Sequence, residues 1–313
     1  MILVTGTLAY DQIMDFPGKF CDSIMPDKIH MLNVSFLVDN LRKGFGGTAG
    51  NIAYTLSLLG IKCAVMGIVG PDFAAYQKFL KANEVDTSYV RIVNNLYTSQ
   101  AFGITDNGDN QIWGFYGGAD MMSDSLSVND VQEKIDFGII GPHNPRAMLK
   151  FAGEYKKKKI PYLFDPGMEL PHLTGDNLKE AFTGARIIIG NDYEIKLMEK
   201  KTGITPLSKL SKQRKIVITT TGEEGSVVFE KEKEIRISPA KARNCSDPTG
   251  AGDAYRAGFL AGYLRKFPLK TCGQLGSIAS AYTVELYGTT THNFSVKDFE
   301  RRYKENYGEE IRL

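Results

Sequence analysis

The chain has 313 residues, 42% of them apolar and 24% charged, with a formal net charge of +2. That balance is ordinary for a globular protein with a normal core, and it excludes the strong basic excess of a nucleic-acid binder. No apolar run approaches the length of a bilayer span.

The four cysteines (Cys21, Cys63, Cys245 and Cys272) are dispersed, with no C-x-x-C pair and no histidine cluster beside them. This speaks against a zinc site and for a reducing compartment. The N-terminus, MILVTGTLAYDQIMDF, lacks the basic segment of a secretion signal and reads as a strand. We therefore expect a cytoplasmic protein with no membrane or nucleic-acid partner. The length allows one large α/β domain with insertions.

Short apolar runs predict strands at Ile2–Gly6, Cys63–Gly70, Phe137–Gly141, Pro161–Asp165, Arg186–Gly190 and Lys215–Thr221. Runs such as IIIG and IVIT are apolar on both faces, as strands between two helix layers must be. The intervening segments read as helices. Ala49, Ile52, Ala53, Leu56 and Leu59 form one stripe that Gly60 stops, and Asp72 is placed to cap a helix from Phe73 to Asn83. Lys156–Lys159, the most basic stretch, ends another helix, where lysines suit the helix dipole. Alternation at this spacing predicts βαβ units and a mostly parallel sheet, whose ligands bind beyond the carboxyl ends of the strands.

Two segments break the rhythm. Residues 29–38, IHMLNVSFLV, alternate apolar and polar side chains. Residues 98–118 predict a hairpin in which TSQAFGIT and NQIWGFY flank the turn DNGD at 106–109. Half-buried strands of this kind suggest a small antiparallel sheet, set apart as a lid over a site.

Residues 247–259, DPTGAGDAYRAGF, carry the chemistry. No lysine follows the glycines, as a Walker loop requires. Tyr255 stands where a dinucleotide fingerprint needs its third glycine, and the loop lies late in the chain. What remains is a helix start at which Gly250, Ala251 and Gly252 leave backbone N–H groups open to an anion. Asp253 is either a helix cap or an acid that takes a proton from a hydroxyl while the amides stabilise a transferring phosphoryl group. The small residues Ala257, Gly258, Ala261 and Gly262 permit close packing of the helix behind it.

This stretch resembles the D-T-x-G-A-G-D signature of the ribokinase-like (PfkB) carbohydrate kinases. GGTAGNIAYTLSLLG at 46–60 resembles the family's G-G-x-x-x-N helix start, and the similarity extends over essentially the whole chain. The resemblance implies a single ribokinase-like domain over 1–313, a three-layer α/β/α sandwich with lid strands inserted at about 10–40 and 97–118. It implies Asp253 as general base and Gly250, Ala251 and Gly252 as the anion hole. Asn191 and Glu194 of NDYE match the N-x-x-E motif that organises Mg2+ and phosphate, Glu194 through water. Taken alone, NDYE is a helix cap with an acidic first turn. Thr220, Gly222 and Gly225 of TTTGEEG match the ATP-binding turn. Asp11 matches an aspartate that binds acceptor hydroxyls, Gly46 and Gly47 a hinge pair of the lid, and Asn51 a substrate-binding or structural asparagine. Asp247 is placed for the monovalent cation (K+) that some members use. The lid is either a monomer's cover or a homodimer interface. His30, His143, His172 and His292 fit no family role.

For the acceptor, Tyr255 and Arg256 replace the Phe and small residue more usual in sugar kinases. Together with MLNVSFLVD, FYGGADM and the tail YGTTTHNFSVKDFERRY, they are similar to the adenosine-kinase-like branch. Phe36, Phe102, Trp113 and Phe115 are either partners for a base or lid core. The expectation is an ATP-dependent kinase acting on a nucleoside, adenosine at its 5'-hydroxyl first. A kinase for ribose, fructose or a keto-sugar acid is the alternative.

Overall fold

A computed structural model describes residues 1–108 and 110–313, with every side chain among them except that of Lys28. Asp109, the last residue of the expected turn, lies outside the described residues. In chain order the strands are β1 (Ile2–Thr5), β2 (Ala9–Asp15), β3 (Asn40–Gly46), β4 (Cys63–Val69), β5 (Asp86–Ile92), β6 (Ser99–Thr105), β7 (Gln111–Tyr116), β8 (Phe137–Ile140), β9 (Tyr162–Phe164), β10 (Ile187–Asn191), β11 (Ile216–Thr220), β12 (Ser226–Glu230) and β13 (Lys233–Ile237). The helices are α1 (Phe20–Ser23), α2 (Thr48–Leu58), α3 (Ala74–Ala82), α4 (Pro145–Lys158), α5 (Gly175–Gly184), α6 (Asp192–Thr202), α7 (Ala251–Leu264), α8 (Leu269–Val284) and α9 (Val296–Tyr307).

The large sheet runs β13-β12-β11-β10-β9-β8-β1-β4-β5. It is parallel from β11 to β5, and β12 and β13 are added antiparallel. Each of the strands predicted for this sheet lies within one residue of its expected bounds, because a run apolar on both faces has nowhere else to go. Ile187 and Ile189 of β10 pack with α2, α3 and α7 residues on one face, and Ile188 packs with α4, α5 and α6 residues on the other. That is a three-layer α/β/α sandwich. The small residues of α7 do what their size suggests: a Cβ on Gly258 would stand 2.5 Å from the Leu275 carbonyl of α8. The close contact anchors the helix that follows the glycine loop.

The small sheet runs β3-β2-β6-β7, with antiparallel outer pairs and a parallel β2–β6 pair at its centre. The 98–118 hairpin forms as β6 and β7. The strand expected at 29–38 does not form. Pro26–Met31 is a 3-10 turn, and regular pairing starts only at Asn40. Both edges of β2 are taken, by β3 and β6, so the alternating segment has no edge there to join. Asp72 also departs from expectation. Pro71–Phe73 is a 3-10 turn, α3 starts at Ala74 without a side-chain cap, and the Asp72 carboxylate instead accepts from the N–H and hydroxyl of Thr98 at 2.9 and 2.7 Å. Among the described residues no helix is long and apolar enough to cross a membrane.

Candidate active site

The glycine loop ends at Gly250, which caps α7 in the left-handed conformation (φ +79°). Asp253 is therefore the third residue of the helix and not its cap. Its Oδ2 accepts from Asn51 Nδ2 at 2.8 Å, which ties α7 to the start of α2 across 202 residues of sequence. Burial pushes the Asp253 carboxyl up to about 6. Arg256 and the Asn51 hydrogen bond pull it down, while Asp165 and Asp11 add to the rise. First-turn amides have no carbonyl of a preceding turn to bond, yet the Ala251 N–H is already spent on Pro248 O at 3.2 Å. The openness expected of the whole Gly250–Gly252 segment thus narrows to its helix side.

A first cavity of about 560 Å³ lies beneath the small sheet. Asp11, Gly47, Phe115, Met121, His143 and Met168 are among its lining residues. Asp11 projects from β2, and burial, then the charge of Asp247, raises its carboxyl to about 6. The glycine pair has a steric reason. A Cβ on Gly46 would collide with the Asp11 carboxylate, and Gly47 sits at φ +83°, where a Cβ would stand 2.4 Å from the Thr7 carbonyl oxygen. Gly46 and Gly47 thus make room for the carboxylate and for the chain crossing into α2.

A second cavity, of about 320 Å³, is lined by Thr220, Gly222 and Gly225 of the β11–β12 turn together with Ala251, Gly252 and Tyr255. Gly222 and Gly225 hold φ of +58° and +95°, which favour glycine. Asp253 itself lines neither cavity: its neighbour Gly252 lines the second, and the charge of Asp11, which lines the first, adds to the rise of its pKa. Nearby, Asn191 and Glu194 form a reciprocal capping box at the start of α6, each side chain bonding the other's backbone N–H at 2.8 Å. Burial, then Asp165, raises the Glu194 carboxyl. Asp247 binds the loop from within, accepting from the N–H groups of Thr249 at 2.9 Å and Gly288 at 3.0 Å. The segment carrying Gly288 also reaches the lid: the hydroxyls of Thr289 and Thr290 both bond the Phe45 carbonyl at the end of β3, at 3.0 and 3.1 Å.

Several expectations move. Tyr255 and Arg256 do not face the first cavity. The Tyr255 hydroxyl bonds Ser226 Oγ at 2.7 Å, and Arg256 is buried on Asp165 at 2.5 Å, so neither touches an acceptor there. Of the four lid aromatics, Phe115 alone lines the cavity. Trp113 stacks on it at 5.9 Å, and Phe36 packs on Phe16 and Phe20 as lid core. His143 and His172, which had no expected role, both line the first cavity. His143 is buried, its Nδ1 donates to Gly141 O at 2.8 Å, and its Nε2 has no partner. His292 is structural, buried between Thr55 and Thr283. Asp165, which sequence reading passed over, is the buried partner of Arg256; the buried partner that an arginine in an apolar helix requires was the available signal.

This arrangement has close counterparts. The profile of the pfkB family of carbohydrate kinases matches residues 10–295. A nucleoside kinase of Methanothermobacter thermautotrophicus is 30% identical over 99% of this chain and 97% of its own. The structure of a Burkholderia thailandensis nucleoside kinase in complex with inosine superposes with a TM-score of 0.90 at 33% identity, covering 99% of this chain and all of that one. The Methanocaldococcus jannaschii nucleoside kinase, an archaeal member of the ribokinase family, superposes with a TM-score of 0.88 at 28% identity, covering 97% and 98%. The chain belongs to the pfkB carbohydrate kinase family, in its nucleoside-kinase branch, and is an ATP-dependent phosphotransferase acting on a nucleoside or sugar hydroxyl.

Proposed function

We propose that the protein phosphorylates a nucleoside at its 5'-hydroxyl, adenosine first, with Asp253 as general base. The observation that carries this reading is the mixed character of the first cavity. Asp11 offers a carboxylate for ribose hydroxyls, while the exposed Phe115, Met121 and Met168 offer apolar surface for a base. A free sugar would leave that apolar surface uncovered. The relative solved with inosine supports a purine nucleoside.

Asn51 serves twice in this reading. Its Nδ2 orients Asp253 through Oδ2, which leaves Oδ1 of the aspartate for the acceptor proton. Its own Oδ1, buried without a partner, is an acceptor for a substrate hydroxyl. A carboxyl near 6 is ionised at neutral pH yet basic enough to take a proton as the new O–P bond forms. The second cavity holds ATP, with the turn at Thr220–Gly225 and the amides at Gly252 and Asp253 on its phosphates. Glu194, one carboxylate beside Asn191, suits the water-rich coordination of Mg2+, which neutralises phosphate charge when bound. Asp247 is the carboxylate for a monovalent cation, and potassium-dependent turnover would report it.

A coupled assay of ATP consumption over nucleosides and free sugars tests the substrate class. Turnover on adenosine or inosine well above that on ribose and fructose is the expected result. Strong turnover on a free sugar alone overturns it.

A further inference from the structure

Arg256 lies one helical turn after Asp253, on the same side of α7, and no step above uses it. It is 8% exposed, and its Nε is 2.5 Å from Asp165 Oδ2 beyond the end of β9, an ion-pair contact in which Nε lacks hydrogen-bond geometry. The guanidinium lies directly under the glycine loop: a Cβ on Gly252 would stand 2.6 Å from Nη1. A side chain at position 252 would require the Arg256 guanidinium to shift. An arginine stays charged at any working pH, and burying one is costly unless its charge is matched. Asp165 matches it, but Asp165 also accepts from the Gly167 N–H at 3.1 Å, which an asparagine would do equally well.

The groups around Asp253 are mostly acidic or neutral. They are Asp165 beyond β9, Asp11 on β2 with Asp247 behind it, Asn51 on α2, Tyr76 on α3 and Glu194 on α6, which faces Arg256 and Asp165. Arg256 supplies the positive charge in this set.

We propose that Arg256 is a positioning residue for phosphoryl transfer: clamped by Asp165 beneath the phosphate loop, it keeps Asp253 a carboxylate in a site crowded with acids. Asp165 sets how much of that positive charge reaches the base. The inference rests on Asp253 being the base. Two opposite consequences follow. Without the guanidinium, Asp253 holds its proton to higher pH. Without the Asp165 charge, Arg256 acts on Asp253 undivided, and the proton leaves at lower pH.

The test is kcat/KM against pH, with inosine and ATP-Mg, for the parent, Arg256→Gln, Arg256→Lys and Asp165→Asn. Arg256→Gln should move the acid limb up by about one pH unit, about tenfold in rate along that limb. Its rate should return toward the parent's above about pH 8, where the base is ionised in both. Arg256→Lys should shift less, and Asp165→Asn should shift the limb down. A loss uniform in pH, or shifts of the same sign for Arg256→Gln and Asp165→Asn, overturns the proposal. If Arg256→Gln does not fold, Asp165→Asn combined with Arg256→Gln removes one charge of each sign. Its acid limb should lie above that of Asp165→Asn alone, and a limb coincident with it overturns the proposal. Asp253→Asn separates the two readings. If it turns over near the parent rate, the base assignment fails. If it is inactive while Arg256→Gln keeps the parent's profile, only the role of Arg256 fails.

Discussion

The two cavities are built from different materials. The one lined by the β11–β12 turn and the start of α7 leans on backbone conformation: Gly222 and Gly225 line it at positive φ and Gly250 holds positive φ at the head of α7, beside polar side chains such as Thr220, Glu223, Ser277 and Ser280. The one beneath the small sheet is shaped by side chains drawn from β2, β6, β7 and the segments after β8 and β9. In the proposed function the second cavity takes ATP, whose phosphates never vary, so a fixed cradle suffices. Acceptors differ, and side chains can change without moving the chain. Asp253 follows Gly252 of the second cavity and is tied through Asn51 to α2, whose first residue, Thr48, lines the first.

The largest effect therefore belongs to that junction. Asp253→Asn keeps the shape of both cavities and should lower kcat by about 10²–10⁴-fold; steady-state kinetics with near-parent kcat would break the comparison at its centre. Next comes the backbone-built half. Gly225→Ala puts a Cβ onto the Ile237 carbonyl at φ +95°, a strain of about 1–3 kcal/mol. The KM for ATP should rise and the denaturation midpoint fall, while the KM for nucleoside stays within about twofold. The side-chain half should answer in mirror image. Phe115→Ala, on a residue that is 66% exposed, should raise the nucleoside KM by a factor matching about 0.5–1.5 kcal/mol of aromatic contact and leave the KM for ATP unchanged. Equal changes in both constants would show that the halves are not separable.

The smallest effect is on stability. Burial raises Asp11 from 3.8 to about 6, so the folded state holds a proton that the unfolded chain releases. The burden on the fold therefore grows as pH rises from about 4 to about 6 and stays constant above that window. Asp11→Asn should match the parent in Tm near pH 4 and exceed it at pH 7 by about 1–3 °C. The same Tm difference at both pH values would remove burial as the cause.

Legibility in the sequence followed the same division. The parallel strands were readable because a run such as IIIG can be satisfied only between two layers. The phosphate side was readable because positive φ and close approach demand glycine, and glycines stand out. The acceptor side was not. His143 and Met168 reach one cavity because the order β9-β8-β1 sets the ends of those strands side by side, and Met121 joins them from the 3-10 segment that follows β7. β3 was missed since NLRKGFG shows no alternation and its first four residues are exposed. The segment 29–38 shows the converse error, a strand pattern without an edge to pair. Tyr255 and Arg256 pointed to the nucleoside-kinase branch, which the relatives bear out, although neither side chain faces the first cavity: one lines the second and the other is buried on Asp165.

The shared carbonyl at Phe45 ties these halves together. Thr289 and Thr290 hold it from one side, and Thr289 packs within 3.0 Å of where a Gly250 Cβ would stand. The end of β3 and the head of α7 therefore hang from one hasp. In the proposed function, an acceptor that draws the lid down would brace the donor's seat through this contact. By the reciprocity of linked equilibria, each substrate then tightens its companion's hold by the same factor.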